Sequence, residues 1–347
     1  MCHKVPGIRA AALPRPCPFS GVPRYTPAMS DSRWQENPGA SADDAVQARA
    51  SNPAPFAAQF SPNLPELLGQ LDCSLALTTY QAGKLVLVSG VDDERLVQLP
   101  RSFRRAMALA RSGTRLAVAT LESVIVYAND PRLASRYPKQ PDTYDSLYVP
   151  RLQYYTGNID NHGLAWGTQG LYTVNTAFNA VGLLGDEYSF RPTWVPPWLE
   201  RPEPGDRSHV NGLALVDGRP KWITALGRGT EPGAWRKTIP GGGVLLDAET
   251  TEVVASDLQM PHSPRVVGDS LFILQSATGE LARIDTASGR VETVTRMEGF
   301  VRGMSVWRDH LFVAFSKLRK NSSTFRDLPI ADKARAAEIG RASCRER

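Results

Sequence analysis

The stretch from His162 to Thr176, HGLAWGTQGLYTVNT, has a plan that recurs along the chain and decides the fold. A polar residue precedes a small residue, and then come a short apolar run, a turn containing Gly or Asp, and a second apolar run. The same plan starts at Arg105, Asn211, His262 and Arg302. Short apolar runs paired across turn residues indicate β-hairpins. The recurrence therefore predicts an all-β protein built from repeated hairpins.

The spacing of the repeats indicates units of four strands. When a looser copy starting at Cys73 is included, successive units begin 32, 57, 49, 51 and 40 residues apart. A propeller blade takes roughly 40–50 residues. Segments 243–256 and 279–295 each add a second hairpin to their unit. We expect a six-bladed β-propeller, with seven blades as the alternative.

The two ends of the chain look foreign to this fold. Residues 1–55 contain many Ala, Ser and Pro residues and few large apolar ones, so we expect a lead-in that is disordered or lies upstream of a true start at Met29. Residues 338–347, EIGRASCRER, are similar to a translated sequencing adapter. The propeller domain would then span residues 56–337 and be truncated at its C-terminus, soon after Ser316.

Composition limits the classes of partner. The 347 residues, 42% of them hydrophobic, are enough for a soluble globular core. The net charge of +5 comes from the ends, because residues 1–28 hold four basic residues and residues 338–347 hold three basic and two acidic ones. The neutral remainder gives no reason to expect nucleic-acid or membrane binding.

The cellular context is predicted from what the sequence lacks. No apolar run approaches the roughly 18 residues of a membrane-spanning helix, and the N-terminus has no continuous apolar stretch typical of a secretion signal. The four cysteines have no CxxC spacing. A cytoplasmic location with reduced thiols is therefore expected.

The polar starts of the repeats define the candidate site. In a propeller the first strand of each blade lines the central channel, so equivalent positions form a ring. The predicted ring positions are Cys73, Arg105, His162, Asn211, His262 and Arg302. Asp160, His209 and Arg265 flank these positions.

Three interpretations of this ring compete. The first is a site for a small anionic molecule, because two guanidinium groups ~8 Å apart would repel by roughly 2 kcal/mol at a dielectric of ~20 and an anion would relieve the repulsion. Its binding residues would be Arg105, His162, His209, Asn211, His262, Arg265 and Arg302. The second is a divalent metal as cofactor, with Asp160, His162, Asn211 and His262 as ligands. The third is structural polarity in a channel filled with water, which leaves room for a protein-interaction scaffold that binds a protein partner through the blade rims.

Several motifs carry a resemblance to a known family. TYQAGKL (79–85), DRSHVNGLAL (206–215), MPHSPR (260–265) and GFVRGMSV (299–306) occur in order. Over about residues 56–337 the chain resembles an uncharacterised bacterial family of conserved hypothetical proteins. Members of that family continue past this chain's end, which favours truncation. The resemblance implies no activity.

A more distant resemblance concerns the starts of two repeats. NGLAL and HGLAW are similar to a motif of the gluconolactonase and regucalcin propellers. The resemblance implies that Asn211 binds a divalent metal and that the protein is a metal-dependent, lactonase-like hydrolase. The acidic residue that those enzymes use at a neighbouring blade is His262 here. Whether this protein is an enzyme is therefore left open.

Overall fold

A computed structural model describes residues 59–318 and 323–334, together with the backbone of residues 339–343. These residues contain twenty-two strands and two short α-helices, α1 (Leu64–Gln70) and α2 (Pro131–Ala134). The all-β prediction is confirmed. No helix of the described residues is long and apolar enough to cross a membrane.

The strands form six antiparallel sheets in chain order. The first sheet contains β1 (Leu75–Thr79), β2 (Lys84–Gly90) and β3 (Leu96–Ser102). The second contains β4 (Leu109–Ser112), β5 (Arg115–Ala119), β6 (Ser123–Asn129) and β7 (Tyr148–Tyr155), and the third contains β8 (Asn161–Gly167), β9 (Gly170–Asn175), β10 (Ala180–Leu184) and β11 (Arg191–Trp194). In each of them, strands that follow one another in sequence are paired neighbours.

The other three sheets follow the same order. The fourth contains β12 (Val210–Val216), β13 (Arg219–Ala225), β14 (Gly243–Asp247) and β15 (Val253–Leu258). The fifth contains β16 (Pro261–Val267), β17 (Ser270–Gln275), β18 (Glu280–Ile284) and β19 (Val291–Arg296), and the sixth contains β20 (Phe300–Trp307), β21 (His310–Ser316) and β22 (Ile339–Ser343). Short turns between adjacent antiparallel strands make each sheet a meander.

The sheets stack face to face around a ring. All five residues of β10 and all five of β14 are buried, because neighbouring sheets cover both faces of these strands. Separate apolar clusters join the second sheet to the third, the third to the fourth, the fourth to the fifth, and the fifth to the sixth. Two more join the first sheet to the second and to the sixth. The chain is therefore a β-propeller, as predicted.

The number of strands in each sheet bears on the blade count, and the two ends of the chain are only partly described. Four sheets have four strands, whereas the first and the last have three each, so the number of six or seven blades stays a prediction. The last sheet was expected to stop at its second strand, but β22 adds a third from the segment predicted to be foreign. The lead-in at residues 1–55 lies outside the described residues. The origin of residues 338–347 and the truncation stay predictions.

Candidate functional site

Irregular pairing at the start of the inner strands positions the candidate site. The strand pairing skips one residue in β8, β12 and β20, and these residues are His162, Asn211 and Arg302. In β16 the pairing is interrupted directly after His262. A β-bulge changes the direction in which a side chain projects. The polar register that the sequence predicts thus coincides with a bulge in four successive sheets.

The predicted register is wrong at the two earlier positions. The β4–β5 hairpin pairs Ser112 with Arg115 as the β8–β9 hairpin pairs Gly167 with Gly170. Counting back from these pairs, the equivalent of His162 is Met107, two residues after Arg105. The repeat pattern predicts Arg105 as a ring residue because Arg105 is the first polar residue of its repeat.

Cys73 is also displaced from the ring. It precedes β1 and packs in the apolar cluster that contains Leu71, Leu75 and Trp307, where the first sheet meets the last. Burial raises the pKa of the Cys73 thiol to about 11. This thiol is therefore part of the closing seam of the ring and does not line the channel.

Arg105 lies at the rim of the channel and not within it. Its side chain is exposed, its φ is 51°, and its guanidinium carbon lies 5.5 Å from the centre of the Tyr80 ring. A small recess beside it is lined by Tyr80, Arg105, Met107, Thr120, Leu121, Asn158, Asp160 and Asn161. The predicted ligand-binding role of Arg105 stays a prediction, now for a position at the rim.

His162 is held by its own sheet and the next. Its Nδ1 lies 2.8 Å from the backbone oxygen of Asp160 and 2.8 Å from Thr176 Oγ1. Thr176 Oγ1 donates its proton to the backbone oxygen of Val210, in the neighbouring sheet. The Asp160 carboxylate lies farther away, at 3.9 Å. The hydroxyl of Thr176 therefore connects the imidazole to the next blade.

His262 repeats this arrangement two sheets farther along. Its Nδ1 lies 3.0 Å from the backbone oxygen of Met260 and 2.7 Å from Ser276 Oγ, and that hydroxyl donates to the backbone oxygen of Val301. The side chain is buried, and its Nε2 has no hydrogen-bond partner among the described residues. An unpartnered buried polar atom is uncommon and costs free energy unless something satisfies it.

His209 is fixed by a carboxylate and an indole. Its Nδ1 lies 3.0 Å from each carboxylate oxygen of Asp206, and Trp235 Nε1 donates to the same carboxylate at 3.0 Å. The His209 ring packs 4.4 Å from the Trp235 ring and 4.7 Å from the His162 ring, measured between centroids. Two of the predicted imidazoles are thus in direct contact.

Arg302 brings positive charge to these imidazoles. Its guanidinium carbon lies 5.7 Å from the centre of the Phe300 ring. Burial lowers the pKa of His162 to about 4, and His209 and Arg302 add to the fall. Burial and then Arg302 lower the pKa of His262 well below its ordinary value. Both imidazoles are therefore uncharged at neutral pH.

Two predicted site residues, Asn211 and Arg265, bond to backbone oxygens in the wall of the channel. Asn211 donates to the backbone oxygen of Pro261 at 3.0 Å and accepts from Thr224 Oγ1 at 2.7 Å. Arg265 donates to the backbone oxygen of Pro264 at 2.7 Å, and burial lowers its pKa to about 10. Asn211 thus ties β12 to β16. The structure brings together His162, His209, His262 and Arg302, while Asn211 and Arg265 bond to backbone beside them.

The predicted metal ligands do not converge in the part of the chain that the structure describes. No group of three or more His, Cys, Asp or Glu side chains there is placed to hold a metal ion. Both polar atoms of the Asn211 amide already have partners, as given above. The described geometry does not assemble Asp160, His162, Asn211 and His262 into one ligand set, and the metal site stays a prediction.

Four residues of the site were missed from the sequence: Asp206, Trp235, Thr176 and Ser276. The repeats did contain a signal for two of them, because the second strands YTVNT and FILQS end in a hydroxyl residue at the same position. Asp206 and Trp235 lie outside the repeated hairpin. Nothing in the repeat marks them.

The fold and site define a β-propeller with a buried imidazole cluster in its channel. The chain belongs to the family described as a domain of unknown function, DUF4915, whose model matches residues 62–344. This match confirms the resemblance to an uncharacterised propeller family. No curated protein matches the chain.

Solved structures give a broad likeness to other propellers. Virginiamycin B lyase from Staphylococcus aureus is 12% identical with a TM-score of 0.45, covering 70% of this chain and 88% of that one. A PQQ-bound aldose sugar dehydrogenase from Streptomyces coelicolor is 15% identical with a TM-score of 0.44, covering 77% of this chain and 90% of that one. At these values the likeness carries no argument about activity.

Proposed function

We propose that the protein binds a small anionic ligand in its channel, next to Arg302, His162, His209 and His262. The observation that carries this proposal is the buried Nε2 of His262, which has no hydrogen-bond partner among the described residues. Burial and the charge of Arg302 lower the pKa of the same ring. A ligand that pairs with Arg302 and hydrogen-bonds to Nε2 of His262 would satisfy this buried polar atom.

Electrostatics favour an anion over a cation at this position. Arg302 lowers the pKa of both His162 and His262, so its positive charge acts on both imidazoles. A guanidinium in a partly desolvated channel interacts strongly with carboxylate or phosphate, because both partners have lost part of their screening by water. The same charge repels a divalent metal.

The other predicted residues receive different roles in this proposal. Arg105 at the rim would attract an anion toward the channel, since a charge at the mouth of a cleft raises the rate of encounter. Asn211 and Arg265 would shape the channel wall through their bonds to backbone oxygens. The ligand itself would contact Arg302 and the three imidazoles.

The proposal is tested by titrating the purified protein with phosphate, sulfate, acetate and citrate and measuring binding by calorimetry. We expect Arg302→Gln to weaken the tightest of these by about tenfold or more, which corresponds to the loss of one charge-assisted contact. Arg219→Gln, an exposed arginine at the start of β13, is the matched control and should leave affinity unchanged. The proposal fails if none of the four anions binds, or if Arg302→Gln binds them as tightly as the parent protein.

Two alternative functions keep separate tests. A metal-dependent, lactonase-like hydrolase requires bound metal. Two measurements test this function: elemental analysis of protein purified without chelator, and lactone hydrolysis with added calcium, manganese or zinc. A protein-interaction scaffold would use the blade rims, and partner binding would then survive Arg302→Gln. A cytoplasmic location is part of our proposal, and fractionation of the source cells tests it.

We also infer that the ring has six blades. The described residues form six sheets, and the apolar cluster of Leu68, Leu75, Val88 and Phe312 joins the first sheet to the last. Such a contact supports closure of the ring after six blades. A crystal structure with a different number of blades would contradict this inference.

A further inference from the structure

The three channel histidines have their protons on the same ring nitrogen. Nδ1 of His162 faces the backbone oxygen of Asp160 at 2.8 Å. A carbonyl oxygen can only accept a hydrogen bond, so Nδ1 must carry the proton. The hydroxyl of Thr176, also 2.8 Å away, has given its own proton to Val210 and accepts from Nδ1 as well. His162 is therefore protonated at Nδ1.

The same argument fixes His262. Its Nδ1 faces the backbone oxygen of Met260 at 3.0 Å and the hydroxyl of Ser276 at 2.7 Å, and Ser276 donates to Val301. Both partners of Nδ1 accept, so the proton sits on Nδ1 here too. Two blades thus use one device, a backbone oxygen and a hydroxyl, to set the tautomer of an imidazole.

His209 also carries a proton on Nδ1, but its hydrogen-bond partner is a carboxylate. Its Nδ1 lies 3.0 Å from both carboxylate oxygens of Asp206. Carboxylate oxygens accept hydrogen bonds, so the proton that His209 donates to Asp206 lies on Nδ1. The carboxylate is kept in place by Trp235 Nε1 at 3.0 Å and by Arg236 at 3.7 Å.

In His162 and His262 the opposite nitrogen, Nε2, is then set as an acceptor. Burial and nearby positive charge lower the pKa of His162 and His262, so neither ring takes a second proton at neutral pH. Each Nε2 carries a lone pair. For His262 this atom is buried and lacks a partner among the described residues. A ligand that satisfies Nε2 must donate a hydrogen bond to it.

We propose that the ligand is a small hydroxycarboxylate, with its carboxylate on Arg302 and a hydroxyl group donating to Nε2 of His262. This inference rests on the proposed anion site and sharpens it. An anion that has only acceptor oxygens, such as acetate or sulfate, would meet the lone pairs of the imidazoles without a proton between them. A hydroxyl group next to the carboxylate provides that proton.

The test compares matched ligands that differ only in hydroxyl groups. Glycolate, lactate, glycerate and gluconate are titrated against acetate, propionate and hexanoate, with glycerol as the uncharged control. We expect each hydroxycarboxylate to bind about tenfold or more tightly than its unsubstituted partner, and glycerol to bind weakly, because it lacks the charge for Arg302. In His262→Phe, which keeps a buried aromatic ring, the preference for hydroxyl groups should disappear while weak carboxylate binding persists.

Nitrogen-15 NMR of the histidine rings gives a second readout that needs no variant. In the free protein Nε2 of His162 and His262 should give the signals of an unprotonated nitrogen, and the His262 signal should shift on adding a hydroxycarboxylate without becoming that of a protonated one. Protonated Nε2 in the free protein at neutral pH overturns the inference. Equal affinity for carboxylates with and without hydroxyl groups also overturns it, but leaves the proposed anion site intact. If no anion of either series binds, the proposed function itself fails.

Discussion

Single residues determine which ring nitrogen of each channel histidine carries the proton. Thr176 and Ser276 occupy the same position in two blades, and each hydroxyl bridges an imidazole to the backbone of the next blade. Asp206 has the corresponding role for His209 through both of its carboxylate oxygens. The contacts of Thr176 and Ser276 tie the chemical state of His162 and His262 to the packing of neighbouring blades.

The lowered pKa of His162 predicts that stability depends on pH. In the unfolded chain this histidine would have its ordinary pKa of 6.5, whereas in the folded protein the pKa is about 4. Between pH 6.5 and 4 the unfolded chain binds more protons, so stability is complete above about pH 6.5 and falls as the pH drops. The groups that face the ring are His209, Asp160 and Arg302.

For His162 alone the loss is about 3 kcal/mol across that range. Denaturant unfolding of the parent chain and His162→Gln at pH 7, 6, 5 and 4 measures it. The variant should be less stable at pH 7 and should lose less stability on acidification. Parallel pH profiles for the two proteins would show that His162 keeps an ordinary pKa.

Inner strands determine where the polar side chains of the site lie. At the start of β12 the bulge at Asn211 is followed by Gly212, where an added Cβ would overlap Thr224 Oγ1 and come within 2.5 Å of Pro264 Cδ. Thr224 is the residue that donates to Asn211. A side chain at position 212 would therefore disturb the bulge and the bond that holds it.

We expect Gly212→Ala to destabilise the protein by about 1–3 kcal/mol, the usual cost of overpacking. Gly69→Ala in α1 is the matched control, because a Cβ there meets nothing within 4 Å. That control should be neutral or stabilise by up to about 1 kcal/mol, as helical alanine does relative to glycine. Equal melting temperatures for the two variants would contradict the tight packing assigned to the bulge.

The whole molecule depends on contact between its first and last sheets. Leu68, Leu75, Val88 and Phe312 form one buried cluster across this seam. Trp307 Nε1 also donates to the backbone oxygen of Leu71 at 2.9 Å. A ring of sheets is stable only if every sheet has a neighbour on both faces, so this seam affects the stability of all of them.

We expect Phe312→Ala to lower the free energy of unfolding by about 3–5 kcal/mol, as for other buried aromatic residues. Val294→Ala is the control, because Val294 is exposed on the outer strand of the fifth sheet, and it should change stability by less than about 0.5 kcal/mol. Loss of hydrogen-exchange protection in β1 as well as β21 would indicate that the seam couples the two sheets. Protection lost in β21 alone would contradict that coupling.

The sequence by itself determined the class of fold and predicted the polar positions of the candidate site. The repeated order of polar residue, apolar run, turn and apolar run reports the period of a strand and the turn chemistry between strands, which are local properties. His162, Asn211, His262 and Arg302 follow from that order, because equivalent positions in equivalent hairpins must lie at the same height in the ring. His209 is predicted only as a residue that flanks the ring position of Asn211.

Tertiary structure decided which of these residues meet and in what chemical state. Arg105 lies two residues outside the register of the ring. The register is fixed by the pairing between strands, and the position of the first polar residue in a repeat does not report that pairing. Asp206 and Trp235 reach His209 from outside the repeated hairpin. The tautomers of the three imidazoles depend on oxygen atoms that only the fold brings to each Nδ1. The sequence contained the polar positions of the ring, and the hydroxyl bonds between blades made Nε2 of His162 and His262 acceptors.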